Sequence, residues 1–287
     1  MPNEKKIILS VENLCLRLLE TKTDIDYGSF DVLGDDFVII KGNNGSGKST
    51  FLKLFAPTKL TGYCGLVRGK MFYHDAGLEN SDVFSRGYDR AKLLRRVVNV
   101  TQEERFSSWA SAYTAMLEPV TVAVKEDASL SAKEKSEKIA KAKELVRYYY
   151  EQVLRKSGSF TSGPLAFRYK RVTSFSGGQQ KMLNLLSGII KAEVIGAKLI
   201  LMDEPLNNLD AKNKAIFSAM ITALRKKRRE AGDPIAIMAI THCQIFDGIN
   251  KVITISPSPD QKINRVTCEK RLEIPHSECL EDFKIKL

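Results

Sequence analysis

The stretch Asp36-Phe-Val-Ile-Ile40-Lys-Gly42-Asn-Asn-Gly-Ser-Gly-Lys48-Ser-Thr50 decides the fold. After Asp36 come four apolar residues with no polar alternation, the pattern of a strand buried on both faces of a parallel sheet. The strand runs directly into Gly42, Asn43, Asn44, Gly45, Ser46, Gly47, Lys48, Ser49 and Thr50, which match the phosphate-binding pattern G-x-x-x-x-G-K-[ST]. Each position has a chemical reason. The glycines allow backbone conformations in which successive N–H groups point inward at phosphate oxygens. The helix that follows adds the positive end of its dipole. Lys48 reaches the β- and γ-phosphates, and the Ser49 hydroxyl takes a place on Mg²⁺. Phe51, Leu52, Leu54 and Phe55 fit one face of that helix, and Pro57 marks its end.

A loop of this kind needs an acidic partner at the end of another buried strand. Leu199-Ile-Leu-Met-Asp203-Glu204 supplies it. Asp203 is placed to hold Mg²⁺, directly or through water, and Glu204 to polarise an attacking water beside the γ-phosphate. Around this strand the last third of the chain alternates β and α. Residues 198–202 and 235–240 read as buried strands, and 213–229 as an amphipathic helix between them. Such alternation indicates an α/β fold with a parallel sheet covered by helices.

The middle of the chain is helical. Ser131-Ala-Lys-Glu134 fits a capping box. Ile139, Ala142, Val146, Tyr149 and Val153 then recur at steps of three and four, so residues 132–157 predict one helix of about 39 Å. Arg225-Lys-Lys-Arg-Arg229 reads as the solvated end of a helix, where cations complement the dipole.

Composition narrows the class. Of 287 residues 43% are hydrophobic, enough for a core and too many for a disordered chain. No apolar run reaches the roughly 18 residues of a membrane helix, and Met1-Pro-Asn-Glu-Lys-Lys lacks the apolar segment of a secretory signal. The five cysteines, Cys15, Cys64, Cys243, Cys268 and Cys279, form no close pair and read as reduced thiols. His74, His242 and His276 are too scattered for a metal site. A net charge of +11 points toward acidic partners such as nucleotides, nucleic acid, a ribosome or anionic lipid.

Taken together, the motifs resemble those of the ATP-binding cassette (ABC) ATPases, over roughly residues 5–256 and in that family's order. Residues 42–50 resemble the Walker A loop, and Gln102, after a strand at 97–100, resembles the Q-loop glutamine. Phe175-Ser176-Gly177-Gly178-Gln179 resembles the family signature. Residues 199–205 resemble Walker B with its glutamate, 207–210 the D-loop, and Ile240-Thr241-His242 the switch histidine. The resemblance implies a P-loop NTPase (RecA-like) core with an antiparallel β subdomain and an inserted α-helical subdomain at 103–175. The cassette spans 1–256, and 257–287 form a C-terminal tail of unknown role.

The family implies a composite site. ATP and Mg²⁺ sit on the Walker A residues of one cassette, and Ser176, Gly177, Gly178 and Gln179 of another close over the γ-phosphate. Glu204, His242, Lys48 and Gln102 are then the catalytic set, and Ser49, Gln102 and Asp203 face the metal. One chain carries one of each element, so it is expected to pair head to tail with itself or with a related cassette. The resemblance favours an ATPase subunit that powers a separate membrane permease, cytoplasmic and peripheral on the inner face of a membrane through that partner. The alternative is a non-transport ATPase acting on a soluble, ribosomal, nucleic-acid or defence complex.

Several features depart from the family pattern. No aromatic stands about 25 residues before Walker A to stack on adenine. Arg17 is the candidate there, and Tyr27 lies too close in sequence. The interval from Gln102 to Ser176 is long, with the added length around 132–157. Asn207-Asn-Leu-Asp210 is closer to translation-associated ABC proteins, and Cys243 stands after His242 where an acid is common. Trp109 is expected to pack rather than to stack on a base. In the tail, 266–274 reads as a strand.

Overall fold

The computed structural model describes residues 6–55, 64–75, 78, 81–101, 106–107, 109–156, 158, 160, 163–241, 245–257 and 263–270. Gln102, His242, Cys243 and Cys279 lie outside them. The described strands form one sheet in the order β4-β1-β2-β9-β8-β3-β7-β6-β5. Strands β1 (Ile7–Leu18), β2 (Asp24–Leu33) and β4 (Cys64–Tyr73) pair antiparallel at one side. At the other side β3 (Phe37–Gly42), β5 (Val97–Val100), β6 (Leu199–Asp203) and β7 (Ala236–Ile240) are parallel.

The unbroken apolar runs are explained by what covers each face. Phe37 and Ile39 of β3 pack into one cluster with Ile200, Met202 and the helical residues Met182, Leu186, Phe217 and Ile221. Val38 and Ile40 point the other way, against Leu199, Leu201, Phe51 and Phe55. Both faces are dry, so neither parity of the strand tolerates a polar residue.

β8 (Lys251–Pro257) and β9 (Ile263–Lys270) join the two halves. β9 runs antiparallel to β8 and parallel to β2, with Ile25 opposite Asn264 and Asp26 opposite Arg265. The strand expected at 266–274 starts three residues earlier, and the residues beyond 270 lie outside those described. The segment set apart as a tail from 257 thus contributes a strand to the interior of the sheet.

Between β5 and β6 come α3 (Ala112–Glu126), α4 (Ala132–Tyr148), α5 (Pro164–Tyr169) and α6 (Gly177–Ile195). The capping box of α4 forms as expected, with Glu134 N–H donating to Ser131 Oγ and Ser131 N–H to Glu134 Oε2. The helix continues, but as a π-helical segment over Tyr149–Arg155 rather than as α-helix. This segment buries Tyr149, Tyr150, Val153 and Leu154. Tyr149 OH donates to the buried carboxylate of Glu193 at 2.9 Å. Lys227 of α7 (Ala211–Glu230) pairs with the same carboxylate at 2.9 Å, tying the helical insertion to the core.

The basic run 225–229 corrects the expectation of a solvated terminus. Arg225 and Arg228 are buried. Arg225 donates to the carbonyls of Asp35 and Gly248, and Arg228 to those of Ala197 and Asp233. These guanidinium groups satisfy loop carbonyls at the sheet's rim, so part of the net positive charge is internal.

Asp36, read from sequence only as the lead into β3, is a buried hub. Its carboxylate accepts from Lys251 Nζ at 2.7 Å, Asn250 Nδ2 at 2.9 Å and Leu33 N–H at 2.8 Å. Removing one partner leaves a buried charge without compensation, which costs about 3–5 kcal/mol. Asp36→Ala is therefore expected to lower the unfolding free energy by about that amount in urea denaturation. A loss within the range of an exposed pair, below about 1 kcal/mol, would show that water reaches Lys251.

Candidate functional site

The loop between β3 and α1 (Lys48–Lys53) takes the conformation its glycines permit. Gly42, Gly45 and Gly47 all have positive φ, at 151°, 77° and 99°. Gly42 is also required by its close approach to backbone, and Gly47 packs tightly on the end of a side chain. A Cβ on Gly42 would lie 2.5 Å from the Ile255 carbonyl oxygen, and one on Gly47 would lie 2.0 Å from Ile25 Cδ1. Lys48 is buried and folds back over the loop, donating from Nζ to the carbonyls of Gly42 at 2.9 Å and Asn43 at 2.8 Å. Two further loop carbonyls are engaged from below. Tyr27 OH donates to Gly47 O at 3.0 Å, and Asn264 Nδ2 to Ser46 O at 3.2 Å. Burial raises the Tyr27 phenol far above its ordinary value, so it remains a protonated donor. Ser46 Oγ is buried, with no hydrogen-bond partner among the described residues. Asn43, Asn44 and Gly45 are exposed at the rim, and Ser49 and Thr50 are half-buried in the first turn of α1.

Sheet register brings Asp203 and Glu204 to this loop. Ile40 pairs with Ile240, and Ile240 pairs with Asp203. Asp203 is thus level with the last apolar residue before the loop, two strands or about 10 Å away. Glu204 follows in a left-handed conformation, φ 47°, with its N–H on Ile240 O at 3.0 Å. A non-glycine residue pays about 1–2 kcal/mol for that backbone, and such strain concentrates at functional sites. Asn207 donates its side-chain amide to the Glu204 carboxylate. That contact orients the carboxylate.

Ser176, Gly177, Gly178 and Gln179 begin α6. Ser176 is its N-cap, accepting from Gln179 N–H at 3.3 Å, while Gln179 Oε1 accepts from Ser176 N–H at 3.1 Å. The exposed end of this 19-residue helix presents the N–H groups of Gly177 and Gly178, which can bind an anion. It opens on a cleft of about 320 Å³ lined by Ser176, Gly178, Gln179, Asn208, Asp210 and Lys212. No residue of the 42–50 loop lines that cleft. Asp210 caps α7, accepting from Asn213 N–H at 2.7 Å.

The structure therefore gathers the site residues expected from sequence in two separate places. One joins the loop with Asp203 and Glu204, and the other joins the α6 terminus with 208–212. Gln102 and His242 lie outside the described residues. Asp24 holds the Arg17 guanidinium by its edge in two bonds of 2.6 and 2.9 Å. Trp109 is also a correction: it is 74% exposed, with Arg171 over its ring at 4.4 Å. Tyr27 and Asn264 were not legible as site residues, since nothing in their local sequence marks them.

The family profile described as ABC transporter matches residues 26–207, more than half of the chain. A Staphylococcus epidermidis protein that carries the name hemin import ATP-binding protein HrtA is 30% identical over 229 residues, covering 79% of this chain and 85% of its own. The phosphate import ATP-binding protein PstB of Saccharolobus solfataricus is 29% identical over 209 residues, 71% of this chain and 66% of its own. Among solved structures, cbiO1 from Clostridium perfringens, part of the ABC transporter complex cbiONQ, superposes with a TM-score of 0.57 at 20% identity, covering 92% of this chain and 88% of that one. The last likeness concerns the fold, a mixed sheet with a parallel P-loop core and an antiparallel subdomain. Motifs, fold and relatives agree: the chain belongs to the ABC transporter family and is one of its ATP-binding ATPases.

Proposed function

We propose that the chain hydrolyses ATP in a head-to-tail pair, each site using the 42–50 loop of one cassette and the α6 terminus of the other, and that the work drives a permease on a separate chain. The observation that carries the reading is the strained Glu204, held beside Asp203 in register with the strand that enters the loop.

In this reading the N–H groups of residues 44–50 and the Lys48 ammonium bind the triphosphate. Ser49 and Asp203 are hard oxygen donors, few in number, which suits Mg²⁺ with its preference for several waters and substrate phosphates. When bound, Mg²⁺ neutralises charge on the β- and γ-phosphates. Glu204 accepts a proton from water as the water oxygen attacks the γ-phosphorus in line. The bond from that phosphorus to the β–γ bridging oxygen breaks, giving ADP and inorganic phosphate. Gln102 is proposed to sense the γ-phosphate and metal, and His242 to contact the γ-phosphate and steady Glu204.

The separation of the half-sites supports pairing. The cleft at Ser176 has a helix N-terminus suited to phosphate but no phosphate loop of its own. Glu204→Gln is expected to bind ATP, to accumulate as a dimer by size exclusion, and to lose about 10²–10⁴-fold in kcat. Turnover like that of the parent would remove Glu204 as the base. Ser176→Arg is expected to leave ATP binding by the monomer intact while abolishing hydrolysis. Full activity in that variant would argue that each chain works alone.

The permease reading is supported by relatives named for import of hemin and phosphate. No helix among the described residues is long and apolar enough to cross a membrane. The helical insertion is where we place the partner contact, because Trp109, Leu165 and Tyr169 there are each at least about two-thirds exposed. Tagged Glu204→Gln, captured from its native cells in mild detergent with ATP, is expected to retain an integral membrane protein. Adding Trp109→Glu and Tyr169→Glu is expected to release it with ATP affinity unchanged. Capture of ribosomes or nucleic acid with nothing from the membrane would replace the permease reading.

A further inference from the structure

The underside of the phosphate loop is held by two strands that the ATPase motifs do not include. Ile25 and Tyr27 are two apart on β2, so they share one face of the sheet. Asn264 on β9 is the register partner of Ile25, so it lies on the same face. All three side chains meet the loop. Ile25 lies under Gly47, Tyr27 OH donates to Gly47 O, and Asn264 Nδ2 donates to Ser46 O. All three are buried.

The direction of these bonds matters because the peptide unit is planar and trans. In such a unit the C=O of one residue and the N–H of the next point in opposite directions. Drawing the Ser46 carbonyl down toward β9 turns the Gly47 N–H up, away from the sheet. Drawing the Gly47 carbonyl down toward Tyr27 does the same for the Lys48 N–H. Glycine at 45 and 47 leaves these peptide planes unusually free to rotate. The Gly47 carbonyl also accepts from Phe51 N–H at 3.2 Å in the first turn of α1, so Tyr27 reinforces a plane that the helix begins to fix, while Asn264 supplies the donor to the Ser46 carbonyl.

We infer that Asn264, together with Tyr27, is a positioning residue for nucleotide binding, orienting the Gly47 and Lys48 N–H groups toward the phosphates. The inference rests on the reading of the 42–50 loop as the triphosphate site. It makes the segment after residue 256 part of the nucleotide site. It also gives Tyr27 a role under the loop, distinct from stacking on the base. Neither residue touches the reacting atoms.

The test measures steady-state MgATP hydrolysis and ADP affinity by calorimetry in Asn264→Leu and Tyr27→Phe, with thermal unfolding alongside. Asn264→Leu keeps the branched shape and removes the donor, and Tyr27→Phe removes one oxygen. Each is expected to raise KM for ATP and Kd for ADP by about 3- to 10-fold, the worth of one hydrogen bond, with kcat within about twofold and a melting temperature lowered by a few degrees while the protein stays folded. Lys48→Ala serves as the reference. If Lys48→Ala loses ADP binding while both variants keep the parent's KM and Kd, the positioning role is overturned and the loop assignment stands. If Lys48→Ala itself binds ADP normally, the loop assignment has failed. Should Asn264→Leu not fold, Tyr27→Phe decides alone: unchanged KM and Kd there overturn the proposal.

Discussion

Everything in the nucleotide site depends on where the carbonyl groups of one short loop point. Lys48 takes those of Gly42 and Asn43, Asn264 that of Ser46, and Tyr27 that of Gly47. A carbonyl turned inward would face phosphate oxygens and repel them, whereas its neighbour's N–H attracts them. The loop can adopt this arrangement only because glycine at 42, 45 and 47 accepts positive φ. It is held there because the surrounding sheet supplies donors from β2 and β9 as well as from the loop's own lysine.

The sheet does the corresponding work for the carboxylates. Parallel pairing of β3, β7 and β6 places Ile40, Ile240 and Asp203 at one level. The Glu204 N–H bond to Ile240 O then bends the chain out of β6 at that level, with a left-handed residue at the bend. Buried apolar runs on both faces fix the register, since a one-residue slip would exchange the faces of every side chain. The dry core thus serves catalysis indirectly, by denying the strands any other alignment.

The helical insertion is joined to this frame and yet presents its own chemistry. The Tyr149–Glu193–Lys227 cluster links the π-helical segment, α6 and α7. Motion of the insertion relative to the core must therefore respect a buried carboxylate with two partners. On its outer side the insertion exposes Trp109, Leu165 and Tyr169, while at its end α6 offers an anion-binding terminus.

The residues legible in the sequence are those whose role is set by local chemistry. The loop, the acidic end of β6, the capping box at Ser131, and the alternation of strand and helix are patterns within a few residues of one another. Their physical signals, glycine freedom, helix-end hydrogen bonding and hydrophobic period, are short-range. Tertiary structure decided what long-range pairing creates. Asn264 meets Ser46 across 218 positions, and no local pattern marks such a contact. The same holds for Asp36 with Lys251, 215 positions apart. It holds too for Arg225 and Arg228, whose burial depends on carbonyls supplied by distant turns. The exposure of Trp109 and the place of β9 between β2 and β8 belong with these. A side chain's burial is a property of what packs against it, and the chain reveals that only once folded.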